Sequence, residues 1–241
     1  MSALLEVRGV SVGYGRSRIL NGVSLQVGAE EGVGLFGPNG HGKTTLLRTI
    51  SGLLKPWGGD IIFAGEPIGG LPPREIVARG LIHVPQGNQL FPDMSVGETL
   101  RLGAFSPAAR LSATRNLNLV HDIFPKLLER DGQLVRTLSG GERQMVAVGV
   151  GLMGNPRLLM LDEPTLGLAP KIKGEVCEAI GRVSQRGVPL LVVEQDVEFL
   201  LDLIDRLVMI NHGEVAFEAA AGEGLDHDEI MAMYFGPGTA A

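Results

Sequence analysis

The chain has 241 residues and 27 acidic against 21 basic side chains, a formal net charge of -6 that argues against a dedicated nucleic-acid binder with its basic face. A hydrophobic content of 44 % is that of a globular protein, and a chain of this size buries about 70–75 % of its unfolded surface without staples. The single cysteine, Cys177, excludes an internal disulfide and fits a reducing compartment. On its helical segment it reads as a small buried apolar residue. The first ten residues lack the charged start and long apolar stretch of a secretory signal. No uncharged apolar run approaches the roughly 20 residues needed to cross a bilayer, so work at a membrane would require other proteins to hold the chain there.

In chain order, strands are expected at residues 4–7, 18–20 and 23–27. A short apolar strand at 33–36 then enters a glycine-rich loop and a helix from Lys43. Another strand at 60–63, a short helix at 76–79 and a strand at 81–84 follow, then a proline-bearing loop at 85–92. Residues from about 93 to 136 lack strand alternation and read as mostly helical. Beyond them come a helix from Gly140, strand 158–161, helix 171–185, strand 189–193, helix 197–203, strand 206–210 and a hairpin turn at 211–214. Strands alternating with helices imply a parallel sheet flanked by helices. The fold class is therefore α/β, with an N-terminal antiparallel β region and a helical insert at approximately 93–155. The weakly patterned region from 216 to 241 carries an expected terminal helix ending near Phe235.

The residues Gly37, Pro38, Asn39, Gly40, His41, Gly42, Lys43 and Thr44 fit the phosphate-loop pattern G-x-x-x-x-G-K-[ST] at every fixed position. An apolar strand precedes them and Thr45 opens a helix behind them, so this stretch is the expected ATP-binding segment. Glycines let backbone N–H groups curl round a polyphosphate, and the helix N-terminus adds a favourable partial charge. Lys43 can reach the β- and γ-phosphates, and the Thr44 hydroxyl can ligate Mg²⁺. His41 occupies a variable position and reads as an exposed loop residue.

The strand at 158–161 ends in two adjacent acids, Asp162 and Glu163. Bare carboxylates after a buried strand are costly unless a cation compensates them, and Mg²⁺ beside a phosphate loop would do so. Asp162 can hold the metal through water while Glu163, on the opposite side, polarises the attacking water.

Many NTPases share those two motifs. The segment Leu138, Ser139, Gly140, Gly141, Glu142 is more discriminating, because Ser139 and Glu142 form a capping box and the two glycines let N–H groups approach an anion. With this LSGGE sequence at a helix start, the chain resembles the ABC ATPase family over nearly its whole length. The resemblance implies that family's fold and a dimer sandwiching two ATP molecules, in which Ser139, Gly140, Gly141 and Glu142 complete the partner's site. It further implies that Tyr14 stacks on adenine and that Gln86 contacts both Mg²⁺ and the attacking water.

Most of that family carries a histidine at the end of the last core strand. Here Gln195 occupies the position, and an amide can donate to phosphate but cannot carry an imidazolium charge. Gln195 is still expected to sense the γ-phosphate. The stretch after the acids, residues 164–170, also differs from the commoner type, and the loop 84–92 resembles the same branch: ATPases of importers for branched-chain amino acids and their urea or amide relatives. The expectation is an ATPase of such an importer, peripheral at the cytoplasmic face of the inner membrane. Its partners would be integral membrane subunits, a second ATPase of the same or a different chain, and indirectly a solute-binding protein. Two rivals stay open: the motor of another ABC transporter such as a lipid or drug exporter, and a soluble ABC ATPase of metal-cluster assembly or nucleic-acid work.

Overall fold

The structure is a computed structural model and describes residues 3–87 and 89–221. The expected terminal helix near Phe235 lies outside the described residues. Strands β1 (Leu5–Tyr14) and β2 (Ser17–Val27) pair antiparallel, and the separate strands expected at 18–20 and 23–27 are one. Gly22 does not end the strand. It sits at φ 67 within a ladder whose register shifts, and its N–H donates to Ser11 Oγ. Strand β3 (Gly32–Phe36) leads through the phosphate loop into α1 (Lys43–Ile50). Strands β4 (Gly58–Phe63) and β5 (Glu66–Pro67) complete a four-stranded sheet of order β2-β1-β4-β5.

The second sheet, to which β3 belongs, resumes after α2 (Pro73–Ala78) with β6 (Leu81–Val84). Five helices follow: α3 (Val96–Leu102), α4 (Pro107–Leu111), α5 (Ala113–Ile123), α6 (Pro125–Glu129) and α7 (Gly140–Met153). The chain then alternates through β7 (Leu158–Asp162), α8 (Pro170–Gln185), β8 (Leu190–Val193), α9 (Val197–Leu201) and β9 (Arg206–Asn211). Strand β10 (Glu214–Ala220) returns antiparallel through His212 and Gly213, both at positive φ as a two-residue hairpin turn requires. The sheet order is β10-β9-β3-β8-β7-β6, with parallel pairing from β9 to β6.

Strands β3, β7 and β8 are buried at every position, as a sheet covered on both faces demands. Their side chains alternate between two cores. Leu159, Leu161, Leu190 and Val192 face the helices, while Leu158, Met160, Leu191 and Val193 face α1 and the antiparallel sheet. Among the described residues no helix is long and apolar enough to cross a membrane.

Helices α7 and α8 meet at Gly141, where a Cβ would collide with the Cγ2 methyl of Ile172. Gly141→Ala should therefore destabilise the protein by about 1–3 kcal/mol through overpacking. Ile172→Leu, which removes that methyl, should recover most of the loss. Urea unfolding of the two single variants and the double variant checks both expectations.

Candidate functional site

Open parallel sheets gather ligands outside the carboxyl ends of their strands. Here β3, β8, β7 and β6 are consecutive neighbours and deliver the phosphate loop, Gln195, the acid pair and Gln86 to one edge. The glycines of the loop have different jobs. At Gly37 a Cβ would run into the carbonyl of Ile210, and at Gly42 into Leu20, so both let the loop lie tight on its supports. At Gly40, with φ 80, nothing lies within 4 Å and the backbone is open to a ligand.

Lys43 is buried, and its ammonium donates to the carbonyls of Gly37 at 2.6 Å and Pro38 at 3.1 Å, curling the loop round its own charge. Burial holds its pKa below the usual lysine value, against the opposing pull of Glu163, Asp162 and Glu194. Thr44 Oγ1 donates to Asp162 Oδ1 at 3.1 Å, which joins the start of α1 to the end of β7. Asp162 is itself buried, and that burial pushes its pKa up to about 6, with neighbouring Glu163 adding to the rise and Thr44 opposing it.

Glu163 stands at φ 47, a left-handed conformation uncommon outside glycine. Its N–H donates to the carbonyl of Val193 at 2.9 Å and its carbonyl accepts from Leu166 at 3.2 Å, so both ends of the residue are held. The carboxylate is held too. Gln86 Nε2 donates to Oε2 at 3.0 Å, and Gln195 Nε2 donates to Oε1 at 2.9 Å. Asn39 of the phosphate loop donates in turn to Gln195 Oε1 at 3.4 Å. The structure thus brings Gln86, Glu163, Gln195 and Asn39 into one chain of contacts.

His41 departs from the exposed loop residue expected of it. It is half-buried, with Nδ1 2.8 Å from Asn211 Oδ1 and 3.1 Å from the N–H of His212, and its ring centroid lies 4.4 Å from that of His212. Its carbonyl accepts from Gly213 at 3.1 Å, which stitches the middle of the phosphate loop to the β9–β10 hairpin. Tyr14, at the end of β1, keeps 44 % of its surface exposed, and its hydroxyl accepts from Arg48 of α1 at 3.4 Å. An aromatic face is therefore available beside the loop.

Ser139 caps α7 as expected: its Oγ accepts from Glu142 N at 3.3 Å and its N–H donates to Glu142 Oε2 at 2.8 Å. Arg130 pairs with the other carboxylate oxygen at 2.7 Å. The two glycines separate in role. Gly141 is required by the packing on Ile172, whereas a Cβ on Gly140 would make only an ordinary contact with Leu168. Gly140 is not required by contacts within its own chain.

Beyond Gln86 the surface opens into an apolar cavity of about 240 Å³ lined by Ile82, His83, Val84, Leu102, Phe105 and Ala147. Phe91, before α3, and Phe105, after it, are exposed. His83 Nδ1 lies 3.1 Å from Ser51 Oγ, and Nε2 is buried without a partner among the described residues.

The family model described as "ABC transporter" matches residues 20–166, more than half of the chain. The chain belongs to the ABC transporter family. It is an ATP-binding, ATP-hydrolysing subunit of that family. It is 36 % identical to the high-affinity branched-chain amino acid transport ATP-binding protein BraG of Pseudomonas aeruginosa, over 97 % of this chain and 100 % of that one. To the high-affinity branched-chain amino acid transport ATP-binding protein BraF of the same organism it is 30 % identical, over 97 % of this chain and 98 % of that one. Among solved structures it is similar to the ADP conformation of MJ1267, an ATP-binding cassette of an ABC transporter. The TM-score is 0.84 at 26 % identity, over 98 % of this chain and 96 % of that one.

Sequence reasoning passed over Glu194, a buried acid at the end of β8 in contact with Thr165 and Gln195. The sequence does carry a signal for it, since Glu194 stands at the end of a buried apolar strand as Asp162 does. Arg48 lacked any such signal, and the bond from Asn39, already expected in the phosphate loop, to Gln195 was hidden because the two are distant in sequence.

His83 generates an expectation in acid. Burial, with Arg48 nearby, pushes its pKa down to about 4 from an ordinary 6.5. Between those values the unfolded chain binds a proton that the folded protein excludes, so stability falls as pH drops from 6.5 towards 4. This one group should account for about 3 kcal/mol of the loss. In His83→Phe, urea midpoints measured across that range should decline less steeply than in the wild type.

Proposed function

We propose that this ABC ATPase powers an importer for branched-chain amino acids or a related amide or urea solute. The similarity to BraG and BraF supports the substrate class, as do Gln195 and the unusual stretch 164–170. We take the chain as one ATPase domain in which residues 93–155 form a helical insert. Two such subunits, identical or of two kinds, would close on two ATP molecules. That BraG and BraF occur in one organism favours the pairing of different chains.

The observation that carries the catalytic reading is the carboxylate of Glu163, held between two glutamine amides beside the phosphate loop. On ATP binding, Lys43 exchanges the carbonyls of Gly37 and Pro38 for β- and γ-phosphate oxygens, and the loop from Gly37 to Thr45 wraps the chain of phosphates. Tyr14 packs on the adenine. Three carboxylates (Asp162, Glu163 and Glu194) face the one buried ammonium of Lys43, so the site is short of positive charge. A hard divalent cation with oxygen ligands fits that deficit, and Thr44, Asp162 and Gln86 would hold Mg²⁺, leaving its other positions to phosphate and water. When bound, the ion neutralises charge developing on the phosphoryl oxygens. Glu163 accepts the proton of the water that attacks the γ-phosphorus as the bond to ADP breaks. Each Glu163 oxygen accepts one amide and keeps a further lone pair for that water, so Gln195 and the water share one carboxylate beside the γ-phosphate. Ser139 and Gly140 reach the ATP held by the partner subunit.

The apolar cavity next to Gln86 would receive a segment of an integral membrane subunit, so that the same loop touches the site and the transporter. The ATPase would then be peripheral, at the cytoplasmic face of the inner membrane, with a solute-binding protein engaged only through the membrane subunits.

Glu163→Gln should bind ATP and lose turnover by at least about 10²-fold, as removal of a general base requires. Unchanged turnover in a steady-state phosphate-release assay would remove Glu163 from this role. For the assembly, the native protein should come out of mildly solubilised membranes with integral membrane subunits and a second ATPase. Recovery from the soluble fraction alone would leave the ATPase and refute the importer.

A further inference from the structure

Glu194 is the acid that the proposed chemistry leaves unused. It is 3 % exposed, yet each oxygen of its carboxylate has work. Oε1 accepts from both the backbone N–H and the hydroxyl of Thr165, each at 2.8 Å, and Oε2 accepts from the backbone N–H of Gln195 at 3.2 Å. Burial pushes its pKa up, and the three accepted bonds oppose that rise. Its own N–H donates to Leu35 of β3 at 3.1 Å, so the residue is anchored to the strand that carries the phosphate loop.

The two segments it joins are two of the three that hold Glu163, the third being the loop of Gln86. Thr165 is two residues beyond the base, inside the turn closed by the Leu166 N–H on the Glu163 carbonyl and the Leu168 N–H on the Thr165 carbonyl. Gln195 carries the amide on Glu163 Oε1. A residue at φ 47 persists only where its surroundings over-determine it. Glu194 is what fastens both surrounding segments to one rigid point.

We propose that Glu194 is a positioning residue for ATP hydrolysis: its buried carboxylate locks the Thr165 turn to Gln195, and thereby sets the direction of the Glu163 carboxylate. This rests on the reading of Glu163 as the base. Misplacing a catalytic group by about 1 Å costs up to about 10²-fold in rate. Among the described residues the Glu194 side chain hydrogen-bonds Thr165 and the Gln195 backbone and none of Thr44, Asp162 and Gln86, so the loss is expected on kcat and not on nucleotide binding.

The test uses the full-length protein in steady-state ATP hydrolysis, with ATP affinity and thermal unfolding measured alongside. Thr165→Val removes the hydroxyl bond at nearly constant shape and Thr165→Ser keeps it. Glu194→Gln still serves Thr165 but turns an amide N–H₂ towards the Gln195 N–H. The expected result is a kcat lowered at least about tenfold in Glu194→Gln and Thr165→Val, with KM for ATP within about threefold of wild type, and near wild-type kcat in Thr165→Ser. Equal impairment of the serine and valine variants would overturn the proposal, as would a raised KM at unchanged kcat. Should Glu194→Gln fail to fold, the Thr165 pair decides. Glu163→Gln separates the two readings: if it is inactive while Thr165→Val is normal, only the role of Glu194 falls, and if it keeps turnover, the base falls and takes this role with it.

Discussion

An excess of buried negative charge organises this protein. Asp162, Glu163 and Glu194 converge at the carboxyl ends of two adjacent strands, with the single buried ammonium of Lys43 among them. Carboxylates placed so close in a poorly solvated edge would be costly if left alone. Each is answered in a different way: Asp162 by the Thr44 hydroxyl, Glu163 by two side-chain amides, and Glu194 by two N–H groups and a hydroxyl. None of these answers involves a cation, and the deficit is the one that the proposed divalent ion would fill.

The surrounding architecture can be understood as the means of holding that arrangement still. Strands buried on both faces cannot slip in register without moving a whole row of side chains to the wrong core. The acids at their ends therefore keep fixed relative positions. The phosphate loop is pinned from the other side, by His41 on the hairpin and by glycines that permit contact with Ile210 and Leu20. Towards α3 the constraint loosens: past Gln86 the surface becomes an apolar hollow with exposed phenylalanines. Rigid chemistry on one side of Gln86 thus adjoins an adaptable surface on the other.

Much of this was legible in the sequence, because local patterns carry it. The phosphate loop, the acid pair and the capped helix at Ser139 each announce themselves within a few residues, and strand β6 and the hairpin after β9 stand where alternation and turn residues place them. What sequence could not show depends on distant partners. The break expected within β2 is absent because Gly22 is absorbed by a bulge opposite β1, a cross-strand matter. His41 looks like any loop residue until Asn211 and His212 are brought to it across the fold. The two glycines of the signature segment look alike in sequence, and only the position of Ile172 tells them apart. Glu194 gains its meaning in the same way, from Thr165, 29 residues earlier.

The left-handed backbone at Glu163 has a consequence for how the protein balances durability against speed. An L-residue in that region is disfavoured by roughly 1–2 kcal/mol, least so for asparagine and not at all for glycine. With Glu163 as the proposed base, the position is occupied by a side chain that suits that chemistry and not the backbone, beside two further acids that repel it. Selection for stability alone would replace it with a small residue tolerant of that conformation and would yield a sturdier but idle protein. Heat-resistant variants sought without an activity screen will be drawn towards that replacement, and an engineer wanting a robust motor has to hold residue 163 constant and look for stability elsewhere.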